Sequence, residues 1–194
     1  MNNRELAGAF MFVGGVQFVI GMILAEIFYP GYNVSGNYIS DLGATCRDTC
    51  IIYQPTAFIF NTSAIILGIL ILLSSYSIWH EFQNYLISIL IGLSGLGALG
   101  VGLFPETTGI LHLIVSFIAF FFAALSAIAA SKLVKTPFTY FSVVLGIASL
   151  AALALFGLQF YMGLGPGGME RMIAYPVLLW AVGFGGYLMS PKQA

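Results

Sequence analysis

Charge is what this chain has least of. Its 194 residues carry six basic and seven acidic side chains, 7% of the total, where a soluble domain averages roughly 25%. A polar skin over a core of this size needs many more ionisable groups, so an ordinary soluble globule is excluded. The formal charge is −1 and the basic residues form no stripe, which argues against nucleic acid as a partner. Histidine and cysteine are also scarce, two of each, so metal and cofactor sites built from clustered ligands have little to draw on. A lone His112 with the scattered carboxylates Asp41, Glu106 and Glu170 is too thin a pattern for a metal site, and no cofactor is expected.

What the chain has in quantity is apolar sequence, 60% of its residues. A membrane-spanning helix needs about 20 mainly apolar residues. Windows of that size give six spans, at about 7–29, 52–74, 84–103, 110–131, 138–161 and 171–189. They leave a short N-terminus, one long connection from Pro30 to Ile51, four short connections and a short tail. The expected architecture is an all-α, polytopic bundle of six transmembrane helices, in an order that allows three helical hairpins, forming one integral membrane domain over 1–194. The first span is too long for a signal peptide and no small-residue cleavage site follows it.

Lys and Arg in short loops mark the cytoplasmic side. With six spans, one side holds both termini with Arg4, Lys132, Lys135 and Lys192, and the other holds Arg47 and Arg171. The expected localisation is therefore the cell membrane, with both termini cytoplasmic. Cys46 and Cys50 both fall on the outer side, where a disulfide around Arg47, Asp48 and Thr49 is expected, the alternative being two free thiols. Asn33-Val34-Ser35 in the same connection is a glycosylation sequon. His80 and His112 lie on opposite sides, which disfavours a haem held by two histidines. None of the charged residues lies in the middle of a span, so a proton relay or ion pump lacks its groups. Gln17, Asn61 and Gln159 are the strongest polar groups expected at depth, each as an interhelical hydrogen bond.

Ser94, Ala98 and Gly102 in span three and Ala119, Ala123, Ala127 and Ser131 in span four recur at intervals of four, as helix packing seams do. They are expected to be seams rather than the lining of a groove, with Phe117, Phe120, Phe121 and Phe122 filling gaps or meeting lipid.

The other polar groups crowd at the outer ends of the spans. Ser40 and Asp41 offer a hydroxyl and a carboxylate, Glu106 a second carboxylate, and His112 an imidazole in the first turn of span four, where the positive helix end favours its neutral form. Together these are ingredients of nucleophilic catalysis, although each is equally at home as a cap or a loop tie. Glu170 and Arg171, directly before the last span, together with Asn37 and Glu26, are the candidates for ligand binding, with an ion pair as the plain structural alternative.

Tyr38-Ile39-Ser40-Asp41-Leu42-Gly43, then Phe104-Pro105-Glu106 with His112, then Gly168-Met169-Glu170-Arg171 with Trp180 occur in an order that resembles a prokaryotic membrane family, the domain-of-unknown-function 998 proteins. The resemblance covers essentially the whole chain. It implies a six-helix fold and marks Ser40, Asp41, Glu106, His112, Glu170 and Arg171 as shared polar positions, and it implies a distant similarity to the eukaryotic FRAG/DRAM/SFK-type six-span proteins, associated with lipid distribution and membrane trafficking.

Three functions fit these observations. The preferred one is a membrane protein that binds a lipid or other amphiphile at an outer polar site, with Arg171 and His112 facing the head group. The alternatives are an accessory subunit whose partners are other membrane proteins, and an intramembrane hydrolase or transferase using His112 with Asp41 or Glu106 and Ser40 as nucleophile. The orientation is testable by cysteine accessibility in intact cells. We expect a thiol introduced near Glu106 to label with an impermeant reagent and one near Lys132 to stay protected; the reverse pattern would invert the topology.

Overall fold

The computed structural model describes residues 1–47 and 49–191, so Asp48 and Lys192, both used in the sequence reading, lie outside the described residues. Six helices among the described residues are long and apolar enough to cross a membrane: α1 (Asn3–Phe28), α2 (Thr56–Phe82), α3 (Tyr85–Leu103), α4 (Ile110–Ala130), α5 (Phe138–Gly157) and α6 (Gly165–Met189). The chain is thus an all-α, six-helix membrane bundle. Local signals set several boundaries. Asn2 caps α1 in a reciprocal box with Glu5, and the Asn84 side chain accepts from the Ile87 amide at the start of α3.

Several boundaries differ from expectation, the end of the second helix most. The second helix continues past residue 74 to Phe82, since the Ser74 hydroxyl donates to the Ala7 carbonyl at 2.9 Å and Ser77 bonds back to Leu73. The fifth ends at Gly157, which leaves Gln159 beyond it in a left-handed conformation and not at depth. The sixth begins at Gly165 rather than 171, with Pro166 in its first turn. Gln17 does reach across, from α1 to the Ser63 carbonyl of α2 at 3.0 Å.

Each helix packs on the next in sequence, and α6 returns to α1, closing a ring. Without a hydrophobic drive between helices in lipid, close backbone approach must hold such a ring. The closing seam shows this most clearly. A Cβ placed on Gly8 would lie 2.5 Å from the Gly185 carbonyl oxygen, and one on Gly185 would lie 2.6 Å from that of Gly8. At the end of the seam where the chain begins, the buried Arg4 of α1 donates to the carbonyls of Tyr187 and Ser190 at the C-terminal end of α6, a site where a cation complements the helix dipole. Elsewhere Gly95 sits against Gly68 and Ile71, and Gly146 against Ala124 and Ile128.

Gly186, next to Gly185, has open space where a Cβ would go. We expect Gly185→Ala to lower stability by about 1–3 kcal/mol, as overpacking does. Gly186→Ala should be neutral or stabilising by about 0.5–1 kcal/mol. Thermal unfolding of the two variants in one detergent makes the comparison.

Candidate functional site

The long connection between α1 and α2 folds over one end of the ring as a cap, with a two-residue antiparallel ladder of β1 (Thr45–Cys46) and β2 (Cys50–Ile51). Cys46 and Cys50 face each other across that ladder and form a disulfide. The cap is docked chiefly on the first turns of α6. Gly167 carries no side chain there, and a Cβ on it would lie 2.6 Å from the Val34 carbonyl oxygen, so the cap backbone can settle onto the helix. The Gly167 amide donates to the Ser35 carbonyl at 2.9 Å.

One turn further on, Arg171 is 4% exposed; both of its terminal nitrogens are taken by protein, while Nε is buried without a partner. Its Nη2 donates to Glu26 Oε1 of α1 at 2.7 Å and to the Tyr32 hydroxyl at 2.6 Å, while Nη1 donates to the carbonyls of Val34, Asn37 and Gly167 at 3.0–3.2 Å. Tyr32 passes the interaction on by donating to the Tyr38 carbonyl at 2.9 Å. Burial pushes the Tyr32 phenol well above its ordinary pKa against the opposing pull of Arg171, so it keeps the proton this bond requires.

The carboxylates hold the rest of the cap. Asp41, also buried, accepts from the Asn37 side chain and the Tyr38 amide at 2.9 Å and from Arg47 at 3.0 Å, while its other oxygen is buried without a partner. Arg47 in turn lies over the Tyr38 ring, 4.6 Å from its centre. Glu106 takes the Ser40 hydroxyl at 2.7 Å and the Cys46 amide at 3.1 Å. Glu170, 7% exposed, accepts from the Ile39 amide. Seven of the polar residues singled out from sequence, Glu26, Asn37, Ser40, Asp41, Glu106, Glu170 and Arg171, are therefore joined through one cap. Glu170 and Arg171 sit inside α6 rather than ahead of the last span.

His112 stands apart from this network. It is buried in the first turn of α4, with Nδ1 2.7 Å from the Phe104 carbonyl oxygen and Nε2 3.3 Å from the Ser116 hydroxyl. A carbonyl can only accept, which places the ring proton on Nδ1. Among the described hydrogen bonds His112 meets no carboxylate and Ser40 gives its hydroxyl to Glu106. No described hydrogen bond links His112 to Ser40, Asp41 or Glu106; the imidazole ties the α3–α4 turn to its helix.

Beneath the cap the ring holds a partly open cavity of about 110 Å³. Its walls are almost wholly apolar: Phe18 from α1, Phe60 and Leu67 from α2, Phe120 from α4, and Leu178 and Trp180 from α6. The polar exceptions are Ser40 and Glu170 from the cap end, with Ser94 and Ser116. Here the expectation of a plain seam needs correction. Ser94 and Ala98 of α3 and Ala119 and Ala123 of α4 line this space, since small side chains on facing helices leave a void wherever no bulky residue fills it. Phe120 was expected only to fill a gap or meet lipid and Trp180 entered only through the family resemblance, while nothing in the local sequence distinguishes Tyr32, Phe18 and Phe60 from ordinary membrane aromatics.

A ring of six apolar spans under a polar cap defines a polytopic membrane protein. Within that class, the chain belongs to the family described as protein of unknown function (DUF998), which it matches over residues 12–187. No curated protein and no solved structure matches it.

Removing the guanidinium would strand Glu26, two cap carbonyls and that of Gly167. We expect Arg171→Gln to cost on the order of 3 kcal/mol, the lower end for a broken buried pair because the Glu26 side chain is 21% exposed. Limited proteolysis of the detergent-solubilised protein should then cut the connection between residues 30 and 51 faster than in the wild type. An unchanged cleavage rate would show that Arg171 does not hold the cap.

Proposed function

We propose that the protein binds a membrane amphiphile in the ring, its apolar chain among the aromatic and aliphatic walls and its polar end under the cap at Glu170 and Ser40. The observation that carries this reading is the partly open apolar space with a buried carboxyl group in its wall. Binding sites for small apolar molecules have this composition, a hydrophobic wall with one or two placed polar groups that fix orientation. Arg171 and His112 are both committed to protein partners, so the polar contact falls to Glu170 and Ser40, and Arg171 acts by positioning the cap. The distribution of Lys and Arg supports a cap on the outer face of the cell membrane. The hydrolase reading has no assembled catalytic group behind it, and no observation favours the accessory-subunit reading.

Ala123 offers the test, because a larger side chain there would occupy the cavity. Native mass spectrometry of the wild-type protein, freed from a mild detergent, should show an adduct of amphiphile mass, either co-purified or added. Ala123→Phe should lose at least nine-tenths of that adduct while unfolding at a similar temperature. A wild type that carries and accepts no amphiphile would end the proposal.

A further inference from the structure

The occupant of the cavity can be specified further from the charges around it. At the cap end the described carboxylates are Glu26, Asp41, Glu106 and Glu170, and the described guanidiniums are Arg47 and Arg171. Both guanidiniums are taken, Arg47 by Asp41 and Arg171 by Glu26. Glu106 and Glu170 receive only neutral donors, the Ser40 hydroxyl and the amides of Cys46 and Ile39. Of these two, Glu170 is the one in the cavity wall, and Ser40, which bonds Glu106, stands beside it there. His112, the remaining basic group at this end, is held by Phe104 and Ser116 and is not part of that wall. The space therefore presents a buried acid with no cationic partner among the described residues, set in an otherwise apolar wall. A phosphate or carboxylate head would find no cation there, whereas an ammonium would supply the missing partner through a charge-assisted hydrogen bond. The space is also small: an apolar cavity of about 150 Å³ takes a single benzene ring, so about 110 Å³ holds part of one chain, the rest leaving by the open side.

We propose that the ligand is a single-chain amphiphile ending in a protonated amine, with the ammonium on Glu170 and the chain against Phe60, Phe120 and Trp180. This rests on the amphiphile-binding reading above, and the test separates the two. Trp79 and Trp180 are the only tryptophans, and Trp79 lies near the far end of α2 from the cap, so Trp79→Phe leaves Trp180 in the cavity wall as sole reporter. The probes are an ω-bromo-octylamine, the matching alcohol and the matching carboxylic acid, titrated at neutral pH into the purified full chain in an uncharged detergent, with quenching of Trp180 as the signal. An alkylamine, like the Lys side chain, is protonated there. The amine should quench at roughly tenfold lower concentration than the alcohol, as a bond with a cationic donor over one with a neutral donor implies, and the acid should be weakest. Glu170→Gln should bring amine and alcohol within about threefold of each other, chiefly by weakening the amine. If the alcohol or acid matches the amine in the wild-type site, the amine assignment is overturned and amphiphile binding stands. If none of the three quenches Trp180 more than it does when Ala123→Phe fills the cavity, amphiphile binding itself falls. Should Glu170→Gln not fold, the ranking of the three probes at the unaltered site decides alone.

Discussion

Everything in this bundle depends on closing the first helix against the last. A ring of consecutive helices needs one contact that is not between neighbours in sequence, and in lipid that contact has no hydrophobic effect to draw on. The chain supplies it with a glycine pair one turn from Arg4 and an arginine towards each end. Arg4 reaches from α1 to the final carbonyls of α6, and Arg171 reaches back from α6 to Glu26 of α1. The Gly8 and Gly185 backbones meet between them. In a medium where an unpaired charge costs several kcal/mol, such pairs also specify register, because sliding one helix by a turn would strand both guanidiniums.

The cap extends the same pairing. Arg171 donates at once to α1, to α6 and to three points on the connection, so closure of the ring and seating of the cap are one event. The cavity then owes its shape to two opposed requirements. Small residues on α2, α3, α4 and α6 bring backbones together where the partner is equally small. Where Ala98 and Ala119 have no such partner across the ring, the same smallness leaves a space.

Six spans were legible because hydropathy over some 20 residues is a local property that bilayer thickness makes obligatory. The crowding of Glu26, Ser40, Asp41, Glu106, Glu170 and Arg171 at one end was legible for a related reason, since alternation of spans fixes which ends share a side. Pairing was not. That Arg171 takes Glu26 while Glu170 takes a backbone amide depends on which face of α6 each presents, and apolarity all round the helix hides that face. His112 illustrates the limit: its type and depth fit catalysis, and its neighbour turned out to be a carbonyl eight residues back. The start of α6 was missed because Gly165-Pro166-Gly167-Gly168 reads as a turn. In place, those glycines form a helical surface bare enough for another chain segment to lie on.

The seam between α1 and α6 also bears on how the protein is made. Glu26 and Arg171 are 145 positions apart, and spans enter a membrane in order of synthesis. Until the sixth span arrives, the first five can settle only against chain neighbours, with Glu26 lacking its cation and the cap its anchor. The final insertion is therefore the step that satisfies charges left waiting since the first. A chain truncated before residue 171 would hold an open arc of helices with an unneutralised acid at its edge, the kind of unpaired intramembrane polar group by which an incomplete product differs from a finished one.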